Sequence, residues 1–526
     1  MAPPQVTAAE THVSGGLFAN ETTPLDISIS FCDDGVATEV GQSTHATNRR
    51  RRHTSSMARI RESLMYDELR GMTSLAVPVI GTYLLEFLPG LVSIVLVGHI
   101  KSDKTEEYID ATAMSVVFMN LCGLSIGVGL SSAMDTLCSQ AFGADETHKM
   151  GVYLQTGALI LATFSILIGV LFYYATDILL ALGQPTEISK MTGEAVWVLV
   201  WGVPFLFAYE LLRKVLQAQN IAAPQFYVSI GANVVNAGVG YLLTYHTDYG
   251  WLGASIARSV CNFSFVILLL PYILHSGLVK TFWDGIHLKD AFEGIPQFLA
   301  LGIPGAAQLC FEWWAFEVLA LLCGLLPLAV VDIGANAIIM NLSALIYMLY
   351  LGVSISGNVR IGNALGASDP KRARVAAMAA LGISAAFSTL CAAFLLTFRQ
   401  SLPLLFTHDE TIGDLACALI VVGAIFQLPD AVNGSIQGIF RGSGRQNIGA
   451  QLNFAAYYLL GIPFGCVLAF TFGLGVVGLW IGMTVALTII ATVGTILVVR
   501  SDWAKLSDDA RDRVYNSKSW NKLLDA

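Results

Sequence analysis

IPGAAQLCFEWWAFEVLALLCGLL, residues 303–326, carries two acids, Glu312 and Glu317, in a run that holds no other charge. About 20 apolar residues in a helix cross the hydrocarbon core of a bilayer, and this stretch is long enough. A carboxylate at that depth is costly and is retained where it is used. The stretch therefore predicts a membrane span with an ion or proton site.

The rest of the chain supports that reading. Of 526 residues, 55% are hydrophobic and 13% charged, where a soluble domain carries about 25% charged residues. Twelve apolar runs predict spans near 74–98, 112–134, 151–175, 192–212, 226–245, 252–274, 297–326, 333–357, 374–397, 413–439, 449–470 and 474–499. All but five of the 29 Lys and Arg then fall on the side of the chain ends. Lys101, Lys104, Lys190 and Arg399 fall opposite, and Arg258 lies within a span. The excess of basic residues predicts that both termini are cytoplasmic. The net charge of −9 says little about partners in such a chain.

Residues 1–70 read as a polar, disordered cytoplasmic tail containing Arg49-Arg50-Arg51-Arg52, and they lack the apolar core of a signal peptide. Residues 501–526 read as a short cytoplasmic tail, partly helical. The sequon Asn20-Glu21-Thr22 falls on the cytoplasmic side in this topology. The nine cysteines show neither disulfide nor metal spacing.

The chain repeats itself. Pro78 precedes Glu86 by the same interval as Pro304 precedes Glu312. The stretch from Gly129 to Gly143-Ala144 is echoed from Gly352 to Gly366-Ala367. Gln219-Asn220-Ile221 recurs as Gln446-Asn447-Ile448, and Gly253 corresponds to Gly478. Six spans per half is an even number, so the halves insert in the same orientation as parallel repeats. This predicts an N-lobe of 71–285 and a C-lobe of 286–500, in the manner of transporters whose lobes rock around a central site.

The intramembrane acids are Glu86, Asp135, Glu210, Glu312, Glu317 and Asp430. Burial disfavours the charged form of a carboxyl, so such an acid can accept a proton from one side and release it to the other. Glu312 lies mid-span. Glu317, five residues on, sits about 140° around an ideal helix, so the two do not share a narrow face; Glu317 serves either a cavity or helix packing. Asp430 follows Pro429 and shares a face with Asn433, in a span that also carries Gln427 and Gln437. Glu86 lies between Pro78 and Pro89 and faces either a cavity or a neighbouring helix. Glu210 can pair with Arg213 or Lys214, and Asp135 reads as support for a loop or gate. Gln308, Tyr83, Trp313, Trp314, Tyr347 and Tyr350 line a pocket or pack against helices and lipid.

No phosphate-binding loop of the Walker type occurs, no histidine falls centrally in a span, and there is no HExxH. An ATP-driven pump and an intramembrane metal enzyme are disfavoured. No catalytic residue, cofactor, bound metal or nucleic-acid partner is expected.

Four motifs carry a resemblance. They are Ser131-Ser132-Ala133-Met134-Asp135-Thr136-Leu137 running to Gln140-Ala141-Phe142-Gly143; Glu312-Trp313-Trp314-Ala315-Phe316-Glu317; Val359-Arg360-Ile361-Gly362-Asn363-Ala364-Leu365-Gly366; and Arg441-Gly442-Ser443-Gly444. Together, over roughly 70–500, the chain resembles the multidrug and toxin extrusion (MATE) family, eukaryotic branch. The resemblance implies an all-α polytopic fold of twelve helices in two six-helix lobes around a V-shaped central cavity. It implies export of organic cations, xenobiotics or metabolites in exchange for protons, or less commonly sodium. It assigns ion coupling to Glu312 and Asp430. The animal branch also resembles this chain at Glu317, Trp313 and Tyr347. Two positions depart: Ser93 stands where many bacterial members carry an acid, and Asn341 where the animal branch has a glutamate.

The expectation is a monomeric proton-coupled antiporter in the plasma or vacuolar membrane, with Glu312 and Asp430 as coupling sites. Its cavity would include Trp313, Glu317, Tyr347, Asn341, Asn433, Gln308, Tyr83 and Glu86. The alternatives are a sodium-coupled antiporter of the same fold and a flippase for lipid or lipid-linked sugar, which would need several basic residues along its cavity.

Overall fold

The computed structural model describes residues 41–515, with side chains from Ser63 onward. The Arg49–Arg52 side chains, the sequon, Cys32 and residues 516–526 lie outside the described residues, as does most of the stretch read as an N-terminal tail. Contacts divide the chain into Met1–Arg59 and Ile60–Ala526. The first unit is described from Gly41, where a helix begins; the second contains all of the expected spans.

Among the described residues the chain is all helix and turn, and twelve helices are long and apolar enough to cross a membrane. They are α1 (Ser63–Gly98), α2 (Thr105–Gly143), α3 (Lys149–Tyr173), α4 (Thr186–Ala218), α5 (Ala223–Tyr245) and α6 (Leu252–His275) in the first half. The second half holds α7 (Ile295–Cys323), α8 (Ala329–Gly366), α9 (Pro370–Phe398), α10 (Glu410–Ser443), α11 (Gln446–Thr471) and α12 (Gly475–Val499). A shorter amphipathic helix, α13 (Trp503–Tyr515), comes last. Each expected span is present and in order.

Helix boundaries run past the hydropathy limits, furthest on the side of the chain ends. α2 continues to Gly143 and α8 to Gly366, where hydropathy alone stops at 134 and 357. Both extensions are rich in Gly, Ser and amide residues, and nearly all of their residues are buried. They face protein rather than lipid, so the helix outlasts the apolar signal.

Each half has a main core. One gathers Leu137, Phe172, Phe207 and Phe265 and takes in Phe298 from the start of α7, and the other gathers Leu319, Ile339, Phe426, Tyr457 and Trp480. The sequence repeat is also a packing repeat. A Cβ on Gly253 would lie 2.6 Å from the carbonyl carbon of Leu243, and one on Gly478 2.8 Å from that of Leu468. Small residues of this kind let membrane helices approach closely.

On the side of the chain ends the halves are joined. A Cβ on Gly143 would stand 2.0 Å from the Asn363 carbonyl oxygen, and one on Gly366 2.0 Å from that of Gln140. The turns after α2 and α8 are matched too, with Asp145 and Ser368 at φ of 61° and 56°, the left-handed conformation common past a helix end. The Thr136 hydroxyl donates to the Arg441 carbonyl at 2.5 Å, the Gln140 amide to the Gly442 carbonyl at 3.0 Å, and the Asn363 amide to the Ala218 carbonyl at 3.2 Å. Buried Glu68 on α1 bridges Arg360 on α8 and Arg372 on α9 at 2.7 and 2.6 Å.

α13 spans this junction. Arg513 donates to the Gln140 side chain at 2.7 Å in the first half and to the Ser443 carbonyl at 3.2 Å in the second. Burial lowers the Arg513 pKa to about 10, so it is a cation at neutral pH. Lys149 donates to the Val514 carbonyl at 2.8 Å.

Candidate functional site

The second half assembles a polar cluster from three helices that are otherwise apolar. On α7, Glu312 is 4% exposed. The Asn433 amide of α10 donates to its Oε1 at 3.2 Å. One turn on, Gln437 donates to Asn433 Oδ1 at 2.8 Å and to Asn453 Oδ1 on α11 at 2.7 Å. Asn453 donates to the Gln308 backbone carbonyl at 2.9 Å, returning the chain of bonds to α7. The side-chain amide of Gln308 is buried with no partner among the described residues.

Asp430 is buried one turn before Asn433 and lies in the Coulombic field of Glu312. The hydroxyls of Tyr347 on α8 and Tyr457 on α11 lie in the field of both acids. Neither Glu312 nor Asp430 forms an ion pair among the described residues. The Asn433 amide is the one hydrogen-bond partner of Glu312 among the described residues, and the Arg441 guanidinium acts on it only at a distance. α11 leaves regular geometry here, with a π-helical segment from Phe454 to Gly461 that carries Tyr457. Such wide turns recur at functional sites.

The first half solves the equivalent problem differently. Arg213 on α4 pairs with Glu86 at 2.7 Å and with Glu210 beside it. Tyr209 donates to the other Glu86 oxygen at 2.8 Å, and the Arg213 guanidinium sits 4.5 Å from the centre of the Tyr83 ring. Lys214 pairs with Asp135 at 2.7 Å, and Arg441 approaches the same acid from the second half at 3.9 Å. Repeat-related Glu86 and Glu312 therefore differ: among the described residues one is in direct contact with a cation and the other is not.

The structure thus brings Glu312, Asp430, Asn433, Gln308 and Tyr347 together. Glu86 and Tyr83 sit together in the other half, engaged with Arg213. Trp313 and Glu317 are partly buried, and Glu317 makes no hydrogen bond or ion pair among the described residues. Trp314 is 41% exposed. Asn341 is exposed and donates to the Ala337 carbonyl of its own helix at 2.8 Å.

One expectation is corrected. Arg258 is not the sole base within the spans, because Arg213, Lys214, Arg360 and Arg441 lie on the helix extensions that hydropathy truncates. All four are paired with acids. Asn453 and Tyr457 join the cluster without having stood out in the sequence; their spacing of four after Gly449 was the available signal. A Cβ on Gly449 would come 2.6 Å from the Gln308 amide nitrogen and 2.9 Å from Gln437 Oε1, so its absence makes room for the cluster.

Glu86→Gln is expected to destabilise the fold, since it leaves Arg213 with Glu210 alone. Breaking a buried pair costs about 3–5 kcal/mol. With one acid retained the cost should be on the order of 2 kcal/mol, read as a lower melting temperature of the detergent-solubilised protein. An unchanged melting temperature would show that the pair does not hold the first half together.

A duplicated twelve-helix body, with a polar cluster buried in one half and closed at one face, has the architecture of a multi-pass membrane transporter. The family model MatE matches residues 78–242 and again 304–467, one stretch in each half. Multidrug and toxin extrusion protein 1 of Oryctolagus cuniculus is 35% identical over 85% of this chain and 77% of its own length. The Homo sapiens protein of that name is 34% identical over 86% and 78%. The crystal structure of the eukaryotic MATE transporter AtDTX14 superposes with a TM-score of 0.81 at 31% identity, covering 86% of this chain and all of that one. The Vibrio cholerae MATE transporter VcmN, at 16% identity and a TM-score of 0.73, shares the fold, covering 86% of this chain and 99% of that one. The chain belongs to the MATE family of multidrug and toxin extrusion transporters.

Proposed function

We propose that this protein is a proton-coupled antiporter that exports organic cations, xenobiotics or metabolites by alternating access between its two lobes. The observation that carries this reading is the pair of buried acids, Glu312 and Asp430, in one lobe with no ion pair among the described residues. A buried carboxylate without compensation is strongly disfavoured. Charge balance at this site is met either by protons on the acids or by a bound cation. Protons and substrate then compete for one position, which is the requirement for exchange.

The basic-residue bias puts the closed face in the cytoplasm, so this arrangement is loaded with protons from the other side. Proton binding displaces the substrate outward, and proton release to the cytoplasm resets the acids for the next molecule. Plasma or vacuolar membrane and a monomeric state are part of the same proposal. A flippase is less well supported, because the bases on the helix extensions are consumed by acids.

The test is transport by the full-length protein in proteoliposomes, screened with fluorescent organic cations and organic acids under an imposed pH gradient and then a sodium gradient. Accumulation driven by the pH gradient alone is expected. Accumulation driven only by sodium would overturn the proton assignment.

A further inference from the structure

Arg258 on α6 is a base well inside its span that forms no ion pair among the described residues. Its Nη1 is buried and has no hydrogen-bond partner among the described residues. The guanidinium lies against Gly90 of α1, where a Cβ would be 3.8 Å from Nη1. The acid one turn away on α1, Glu86, is already committed to Arg213 and Tyr209.

A second orphan lies at the same level. Asn236 on α5 is 1% exposed, and both its side-chain oxygen and nitrogen lack partners among the described residues. Neighbouring contacts fix its position. Cys261 Sγ donates to the Ala232 carbonyl at 3.5 Å, and a Cβ on Gly240 would touch Ala257. Asn236 stands midway between Ala232 and Gly240 on the stripe of α5 facing α6, and Arg258 follows Ala257 on the flank of α6 turned toward α1. Against α1, Asn233 bonds the Leu85 carbonyl at 2.9 Å and Gly240 abuts Leu96, which brackets Gly90.

A guanidinium with a buried, unpaired N–H group and no counter-ion among the described residues, at the level of a buried amide with free donors, is a cost that a fold keeps when a ligand meets it. We propose that Arg258 and Asn236 form an anion site in the first lobe that takes one monovalent anionic group, either a free halide or the carboxylate of a transported compound. Guanidinium and amide N–H groups supply donors and the positive charge, and the site is separate from the acids of the second lobe. It stands whether or not protons drive transport.

The test is equilibrium binding of radiolabelled chloride to the purified full-length protein in gluconate buffer, with benzoate as competitor and as a separate ligand in thermal melts. Saturable chloride binding, or a saturable rise in melting temperature with benzoate, is expected. Displacement of chloride by benzoate places both on one site. Benzoate stabilisation without chloride binding identifies the substrate carboxylate as the source, and chloride binding indifferent to benzoate identifies the halide. Arg258→Gln should weaken binding roughly tenfold or more, Asn236→Ala should weaken it less, and Arg258→Lys, which keeps the charge, should retain most of it and serves if the glutamine variant does not fold. Binding of neither anion, or equal binding by wild type and the folded charge-removing variant, would overturn the proposal.

Discussion

Glu312→Gln protein in proteoliposomes is expected to lose proton-driven accumulation of substrate while still binding it. The reasoning is one of charge. Glutamine keeps the shape of a protonated glutamic acid and can still meet the Asn433 amide, which sits 3.2 Å from Oε1, but it cannot exchange a proton. One pH unit is worth about 1.4 kcal/mol per proton, so a two-unit gradient supports roughly 100-fold accumulation through one coupled proton. Removing the coupling acid should collapse that ratio toward the value set by leak. Asp430→Asn should have the same direction, because Asp430 lies in the field of Glu312 and has no counter-cation of its own among the described residues. Glu317→Gln is the control from the same helix, expected to leave the gradient-driven ratio intact.

Gly143→Val is expected to abolish the closed face and, with it, turnover. The new Cβ would fall 2.0 Å from a backbone oxygen of Asn363, and a backbone cannot move aside as a side chain would. The states of an alternating-access cycle differ by a few kcal/mol, so a clash of this kind removes one of them. Transport should fall roughly tenfold or more, with the protein still folded because the two lobe cores are untouched. Spin labels at exposed His148 and Lys371, in a background without reactive cysteines, should report a longer separation than in the parent. Gly366→Val should behave alike, since its Cβ meets Gln140 in the same way. An unchanged separation with normal transport would show that this junction does not set the conformational state.

The architecture was legible because the apolar runs and the repeated Pro-to-Glu spacing are local signals. Glu312 stood out with Glu317 as the two acids of a long apolar helix, and Asp430 shared a face with Asn433 beyond Pro429; packing joins Glu312 to Asn433 and leaves Glu317 out. What hydropathy hid were the helix extensions. The residues from Asp135 to Gly143 fell outside the apolar run, although they are helical and packed against the other lobe. For the same reason Arg213, Lys214, Arg360 and Arg441 looked like cytoplasmic charges rather than buried partners of Glu86, Asp135 and Glu68. Pairing depends on which helices become neighbours, and no local pattern encodes that Arg213 reaches back to Glu86. Asn453 and Tyr457 gave no distinct signal because amides and tyrosines are common in such helices, and their place in the cluster comes only from the approach of α11 to α7.

The most direct test of proton coupling is proton release on substrate binding. Purified full-length protein in weakly buffered detergent solution, with a pH-indicating dye, is mixed with a fluorescent cation shown to be transported. Wild type should release protons in proportion to substrate bound, and the Glu312→Gln, Asp430→Asn double variant should bind without releasing any. Substrate binding by wild type with no proton release, or release undiminished in the double variant, would contradict the account.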